Sequence, residues 1–369
     1  MKIIKTTTPL DTIEYDGDYP VNLDPVDVVE IFNTPLVGSY NWDYTVQDNR
    51  IKKLYELGKQ LNWDVEIDVD WSPEVIDISE ERFQWEDSQW NGHPVYSTWD
   101  RMRKEEFFRD LNSWSTSQFL HGEQGALLVA SQLASCAPTF NAKLYAASQT
   151  FDEARHVECF NKYIQTRLHK SWPISRALKG LLDKILTDSR WDLKFIGMQV
   201  VIEGLALAAF QTAKDTTEDP VFKDMLNLII RDEARHVTFG INYLTDFVQT
   251  LSKEEQIDRA NFALEACTVS RSRLRPYEVW TKYGLDIDET EEYQKKEVFQ
   301  AQFQDILFSR IMPNLKRIGL LRDELIPEYE KLGVMGYVEG DSDYELDWEE
   351  LSKPLDKSPS ILEKEILRR

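Results

Sequence analysis

Asp152-Glu153-Ala154-Arg155-His156-Val157 returns unchanged 80 positions later as Asp232-Glu233-Ala234-Arg235-His236-Val237. Each copy puts its glutamate 30 residues after another: Glu123 before Glu153, Glu203 before Glu233. The flanks repeat as well, since Ala126-Leu127 after Glu123 becomes Ala206-Leu207 after Glu203. A glutamate and a histidine at i and i+3 share one face of a helix. Glu153 and His156 therefore project together, and so do Glu233 and His236. Two helical arms of about 12 to 13 residues reach about 20 Å out and 20 Å back at roughly 1.5 Å per residue. The spacing thus sets Glu123 and Glu153 at one depth of an antiparallel hairpin, and Glu203 and Glu233 at one depth of a second. Packed face to face, the two hairpins make an all-α four-helix bundle with six side chains meeting at its centre.

The residue types explain one another. Four carboxylates and two imidazoles form a donor set that holds two iron or manganese ions between four helices. Carboxylates are hard anions able to bridge two cations, and imidazole suits iron. Two ferrous ions neutralise four carboxylates, whereas the carboxylates alone would be untenable in a core unless several took up protons. Glu203 carries the strongest single signal, because it interrupts the apolar run Met198 to Phe210. Asp152 and Asp232 are candidate acceptors for the second ring N–H of a ligating histidine, which would fix its tautomer. Arg155 and Arg235 are placed to pair with those aspartates. His93, His121 and His169 fall outside the pattern, and His121 faces away from Glu123.

Bulk properties narrow the function further. The 369 residues are 42% hydrophobic, enough for a large core. The net charge of −22 excludes a phosphate backbone as the natural partner, since such binding rests on Lys and Arg. The excess acid fits a self-repelling, soluble surface. Three cysteines, Cys136, Cys159 and Cys267, follow no disulfide or metal spacing and point to a reducing, cytoplasmic setting. The start reads as no signal peptide, and no stretch approaches the length of apolar residues that a membrane span needs.

Along the chain, residues 1–95 are rich in Asp, Pro, Tyr and Trp and read as an extension wrapped on the core. Within them Asp48 to Leu61 is amphipathic at helical spacing, and Asp64 to Glu81 reads as mostly loop. The bundle occupies 96–251. Its first helix is capped at Ser97 or Thr98, carries a break near Asn112-Ser113 and ends before Pro138. The second runs from Asn141 to Leu168, and a connecting helix covers Ile174 to Thr187. The third spans Trp191 to Lys214. The fourth starts at Asp219-Pro220, a cap followed by proline, and runs to Leu251. Residues 252–335 hold additional helices that Pro276, Pro313 and Pro327 kink or divide. Residues 336–369 read as a tail or an arm.

The repeated Asp-Glu-x-Arg-His element, each copy 30 residues after a glutamate, resembles the ferritin-like di-iron carboxylate oxygenase superfamily over about residues 100–250. The resemblance implies a ferritin-like four-helix bundle with additional N- and C-terminal helices. It implies Glu123, Glu153, His156, Glu203, Glu233 and His236 as ligands of two iron ions, or of a manganese–iron pair, with dioxygen as co-substrate. Asp152, Asp232, Arg155 and Arg235 would support the ligands. Small residues one turn past each lone glutamate, Ala126 and Ala206, leave room that Leu127, Phe160 and Leu207 would line as a substrate pocket. The implied activity is mono-oxygenation of a small organic molecule, with electrons from a ferredoxin or flavin reductase. No nucleic acid or membrane partner is implied, and the superfamily's habit is a homodimer. A ferroxidase, or a radical-storing subunit without an organic substrate, is the alternative.

The subfamilies are separated by departures. Ribonucleotide reductase small subunits carry a radical tyrosine four residues after the first ligating histidine, where this chain has Phe160. Multicomponent hydroxylases carry a threonine four residues after the third glutamate, where this chain has Leu207. Arylamine N-oxygenases add a histidine four residues before the last glutamate, where this chain has Ile229. None of these patterns is complete here. The 95 or so residues before the bundle and more than a hundred after it exceed what iron storage requires, which favours a substrate-using enzyme.

Overall fold

The structure is a computed structural model and describes residues 4–5, 30–75, 89–273, 275–296 and 298–345. The expected tail beyond 345, and residues 1–3, 6–29 and 76–88 of the expected extension, lie outside these. Helices dominate. The described strands are two-residue stretches, Ile4–Lys5 and Glu30–Ile31, paired in parallel.

Four long helices carry the site: α2 (Arg101–Cys136), α3 (Phe140–Tyr163), α5 (Trp191–Thr216) and α6 (Pro220–Val248). Preceding them is α1 (Asn49–Gln60), and α4 (Arg176–Thr187) joins the two hairpins. After the bundle come α7 (Lys253–Arg273), α8 (Tyr277–Lys282), α9 (Ile287–Gln294), α10 (Val298–Ile318) and α11 (Ile326–Leu332).

Local chemistry sets the ends. Asp100, rather than Ser97 or Thr98, caps α2 by accepting from the Arg103 N–H at 2.9 Å. Tyr96–Thr98 instead form a 3₁₀ turn just before it. Helix α2 passes Asn112-Ser113 without a break, and the Thr116 and Ser117 hydroxyls donate back to the carbonyls of those residues within the helix. Asp219 caps α6 through the Val221 and Phe222 N–H groups, and Pro220 fills the first turn. The same aspartate accepts from the Tyr163 hydroxyl at 2.8 Å, which ties the end of α3 to the start of α6. Pro313 lies inside α10 and does not divide it.

Helix α5 corrects the expectation about apolar length. Trp191–Thr216 is long and apolar enough to cross a membrane, but 94% of its most apolar stretch is buried inside the protein. It is the core helix, packed on α6, α7 and α10. Its turns widen over Ile196–Ile202, immediately before Glu203. Such widened turns recur at functional sites. Helices α5 and α6 approach closely where Gly240 stands, since a Cβ there would lie 2.5 Å from the Cβ of Gln199. Helix α1 packs on α3 and α6, burying Ile51, Leu54, Leu57 and Gly58.

Candidate metal centre

Six acidic and imidazole side chains converge where the two hairpins meet, and all are buried. Glu123 comes from α2, Glu153 and His156 from α3, Glu203 from α5, Glu233 and His236 from α6. Glu123, Glu153, His156 and Glu233 present atoms close enough to hold one cation, and Glu153, Glu203 and His236 close enough to hold a second. The two imidazole rings lie 5.9 Å apart, centre to centre.

The distances fit a cation site better than a hydrogen-bonded cluster. His156 Nδ1 lies 3.0 Å from Glu123, 3.2 Å from Glu153 and 3.1 Å from Glu233. One ring nitrogen has at most one proton to donate, so three carboxylates cannot all be satisfied by it. His236 Nδ1 lies 3.0 Å from Glu153 and 3.7 Å from Glu233 but hydrogen-bonds neither. Both oxygens of Glu233 and Oε2 of Glu203 also lack a hydrogen-bond partner. Buried polar atoms left over in this way are rare, and metal coordination satisfies them. The donor set therefore fits two cations, with Nδ1 of each histidine turned inward.

The outward ring nitrogens are held by a crossed arrangement. His156 on α3 meets Asp232 of α6 at 3.2 Å, and His236 on α6 meets Asp152 of α3 at 3.1 Å. Arg155 donates to Asp152 at 2.6 Å and Asp232 at 3.1 Å; Arg235 donates to Asp232 at 2.7 Å and Asp152 at 3.0 Å. The four residues form a closed ring of two cations and two anions inside the protein. Burial works against ionisation of Asp232, yet Arg235 and His156 hold its carboxyl well below the usual range. Both histidines thus keep Nε2 as a donor, which leaves Nδ1 free for a metal.

Two residues absent from the sequence reading belong to this network. Trp63, beyond α1, donates its indole N–H to Asp232 at 2.7 Å and stacks near His156 with ring centres 6.3 Å apart. Gln149, one turn before Glu153, donates to Glu153 at 3.1 Å and Glu203 at 2.8 Å. A polar residue one turn from a ligand in the repeat was the available signal for Gln149. No local pattern marks Trp63. His121 bonds the Trp172 carbonyl at 2.9 Å, and His93 lies 3.2 Å from the Thr290 hydroxyl.

Beside the carboxylates is a cavity of about 30 Å³. Ala126 and Ala206 line it, together with Phe119, Gly122, Ala209 and Phe210. Leu127, Phe160 and Leu207 do not, which corrects the expected pocket. Successive helical residues are turned by about 100°, so Leu127 and Leu207 point away from the face of their alanine neighbours. Phe160 is buried instead against Phe119 and Phe210 behind the wall.

Protonation balances the cluster when no metal is bound. Burial, then the neighbouring Glu233, pushes Glu123 well above the ordinary carboxylate range. Burial, then Glu153, does the same to Glu203. Burial opposes charge on His156 and His236, but the surrounding carboxylates outweigh it and raise both well above an ordinary imidazole. Burial also opposes ionisation of Glu153, where His236 and His156 prevail and hold it low. Metal loading must displace the protons on Glu123, Glu203 and the two histidines. Binding should therefore release protons, and apparent affinity should fall as pH falls. Calorimetry in buffers of different ionisation enthalpy measures this; release of no protons and a pH-independent affinity would contradict it.

An all-α bundle with four carboxylates and two imidazoles converging between paired helices defines a ferritin-like, di-metal carboxylate protein. The family model of P-aminobenzoate N-oxygenase AurF matches residues 45–319, about three quarters of the chain. The chain belongs to this family of di-iron oxygenases. It does so although Ile229 stands where a further histidine was expected of arylamine N-oxygenases; Ile229 is buried in an apolar cluster with Phe222, Met225 and Phe160. No curated protein matches the chain. Among solved structures, a mutant R2-like ligand-binding oxidase with an anaerobically reconstituted Mn/Fe cofactor is 16% identical, with a TM-score of 0.47 over 73% of this chain and 93% of that one. An R2-like ligand-binding oxidase with an aerobically reconstituted Mn/Fe cofactor is 15% identical, with a TM-score of 0.47 over 75% and 93%.

Proposed function

We propose that the chain is a dioxygen-dependent oxidoreductase that inserts one oxygen atom into a small organic substrate. Glu123, Glu153, His156 and Glu233 would hold one iron, and Glu153, Glu203 and His236 the second, with a manganese–iron pair as the variant. The observation that carries this reading is His156 Nδ1 sitting within 3.2 Å of three carboxylates it cannot satisfy by hydrogen bonding. Family membership supports the oxygenase chemistry. When bound, the metal pair supplies the electrons that reduce dioxygen and so provides the oxidising equivalent.

The protein's part is to hold and enclose. The crossed Asp–His contacts keep both imidazoles in one tautomer. Arg235, His156 and Arg155 keep Asp232 charged, and both arginines donate to Asp152. Gly122, Ala126, Ala206 and Ala209 clear space beside the carboxylates, and Phe119 and Phe210 line it with apolar rings. That space of about 30 Å³ suits a diatomic gas or a water. Organic ligands occupy pockets of roughly 300–1,000 Å³. The cavity therefore has to widen to admit a substrate. Two electrons come from an external donor of the ferredoxin or flavin-reductase class.

The narrowness of the cavity favours one second reading, a ferroxidase whose substrate is iron itself. Isotope labelling separates the two. The chain is loaded with Fe²⁺ without air, supplied with external electrons and candidate substrates, and exposed to ¹⁸O₂. An organic product carrying the label supports the oxygenase. Continued iron uptake and oxidation without labelled product supports the ferroxidase.

A further inference from the structure

We infer that Gln149 is the positioning residue for the second metal position: its amide fixes the Glu203 carboxylate against that of Glu153. The inference rests on the proposed metal site and deepens it.

Gln149 is fully buried, and an amide nitrogen has two hydrogens. Its Nε2 lies within hydrogen-bond reach of Glu153 Oε1 at 3.1 Å and Glu203 Oε1 at 2.8 Å. Both acceptors belong to the group, completed by His236, that holds the second cation. The other oxygen of Glu203 has no hydrogen-bond partner. Ile202 and Leu205 beside it are apolar and buried. Gln149 thus supplies the hydrogen bond that orients Glu203, directly after the widened turns of α5.

The other half of the site is built differently. The 80-residue repeat maps Gln149 onto Ile229, which lies in an apolar cluster and can donate nothing from its side chain. Glu123, the counterpart of Glu203, faces another proposed ligand instead, His156 Nδ1 at 3.0 Å. One metal position is therefore organised by the ligands themselves, and the other by a glutamine that is not a ligand. Loss of that glutamine should weaken the second position and spare the first.

The test titrates the full chain with Mn²⁺ alone, following metal per chain and electron paramagnetic resonance. Wild type should bind two ions and show the broad spectrum of a coupled pair. Q149M and Q149L fill the same space without donors. Each should keep one ion, show the sharp spectrum of isolated Mn²⁺, and bind the second about 10–100-fold more weakly, as expected on losing a partner of a ligand. Q132L is the control, since Gln132 is also a buried glutamine but donates to the Leu186 carbonyl at 3.3 Å. It should retain the coupled pair. A coupled pair at wild-type affinity in either folded Gln149 variant would overturn the inference and leave the metal site standing. Failure of wild type to bind two ions would instead overturn the site, and the inference with it.

Discussion

Glu203→Ala should leave a folded chain that no longer loads two metal ions. Glu203 sits in the apolar core helix, and its nearest polar contacts are Gln149 and the atoms of the second cation site. Removing an outer partner of a ligand already costs roughly 10–100-fold in metal affinity, so removing the ligand should cost more. Elemental analysis after loading and desalting should find at most one ion per chain. Glu203→Gln separates lost coordination from lost packing, because it keeps the volume. Burial, then Glu153, pushes the Glu203 carboxyl well above the ordinary carboxylate range, so a neutral amide is a close substitute. An amide in its place should leave the metal-free melting temperature near that of wild type while still preventing the second ion from binding. Two tightly held ions in Glu203→Ala would remove this glutamate from the ligand set.

Asp232→Ala should destabilise the metal-free protein by about 3–5 kcal/mol, the usual consequence of removing one member of a buried ion pair. Four groups lose a partner together: the Trp63 indole, the guanidinium groups of Arg155 and Arg235, and the His156 ring. Arg235 is completely buried and, among the described residues, would keep only Asp152 as an ionic partner. The same substitution at the exposed Asp246, which pairs with Arg50 on the surface, should cost about 0–1 kcal/mol. Urea unfolding of the two variants measures the contrast. Equal, small effects would show that the crossed ring contributes nothing to stability. Metal affinity should fall in Asp232→Ala as well, because His156 would lose the contact that fixes its tautomer.

The parts of this protein that follow from local rules were legible in its sequence. Helical periodicity placed α1 over Asp48 to Leu61, and the cap-and-proline pair at Asp219-Pro220 placed the start of α6. The 30- and 80-residue spacings are enough to bring the six acidic and imidazole residues to one level of a four-helix bundle. What was not legible depends on how helices turn and pack. Asp152 and Asp232 were identifiable as partners for histidines, but only packing of α3 on α6 shows that each serves the histidine of the other helix. The pocket was misjudged because Leu127 and Leu207 adjoin the right residues in sequence and face another way in space. Trp63 reaches the site from a segment outside the bundle, so no spacing within the repeat points to it. Gln149 was concealed by the repeat itself, which drew attention to what recurs rather than to the position where glutamine is answered by isoleucine.

The most direct measurement is anomalous X-ray diffraction from crystals of the iron-loaded protein, recorded at the iron absorption edge. Two peaks about 3.5–4 Å apart, the usual separation in two-metal sites, should appear between α2, α3, α5 and α6, bounded by Glu123, Glu153, His156, Glu203, Glu233 and His236. A single surface peak, or no peak among these six side chains, would contradict the account.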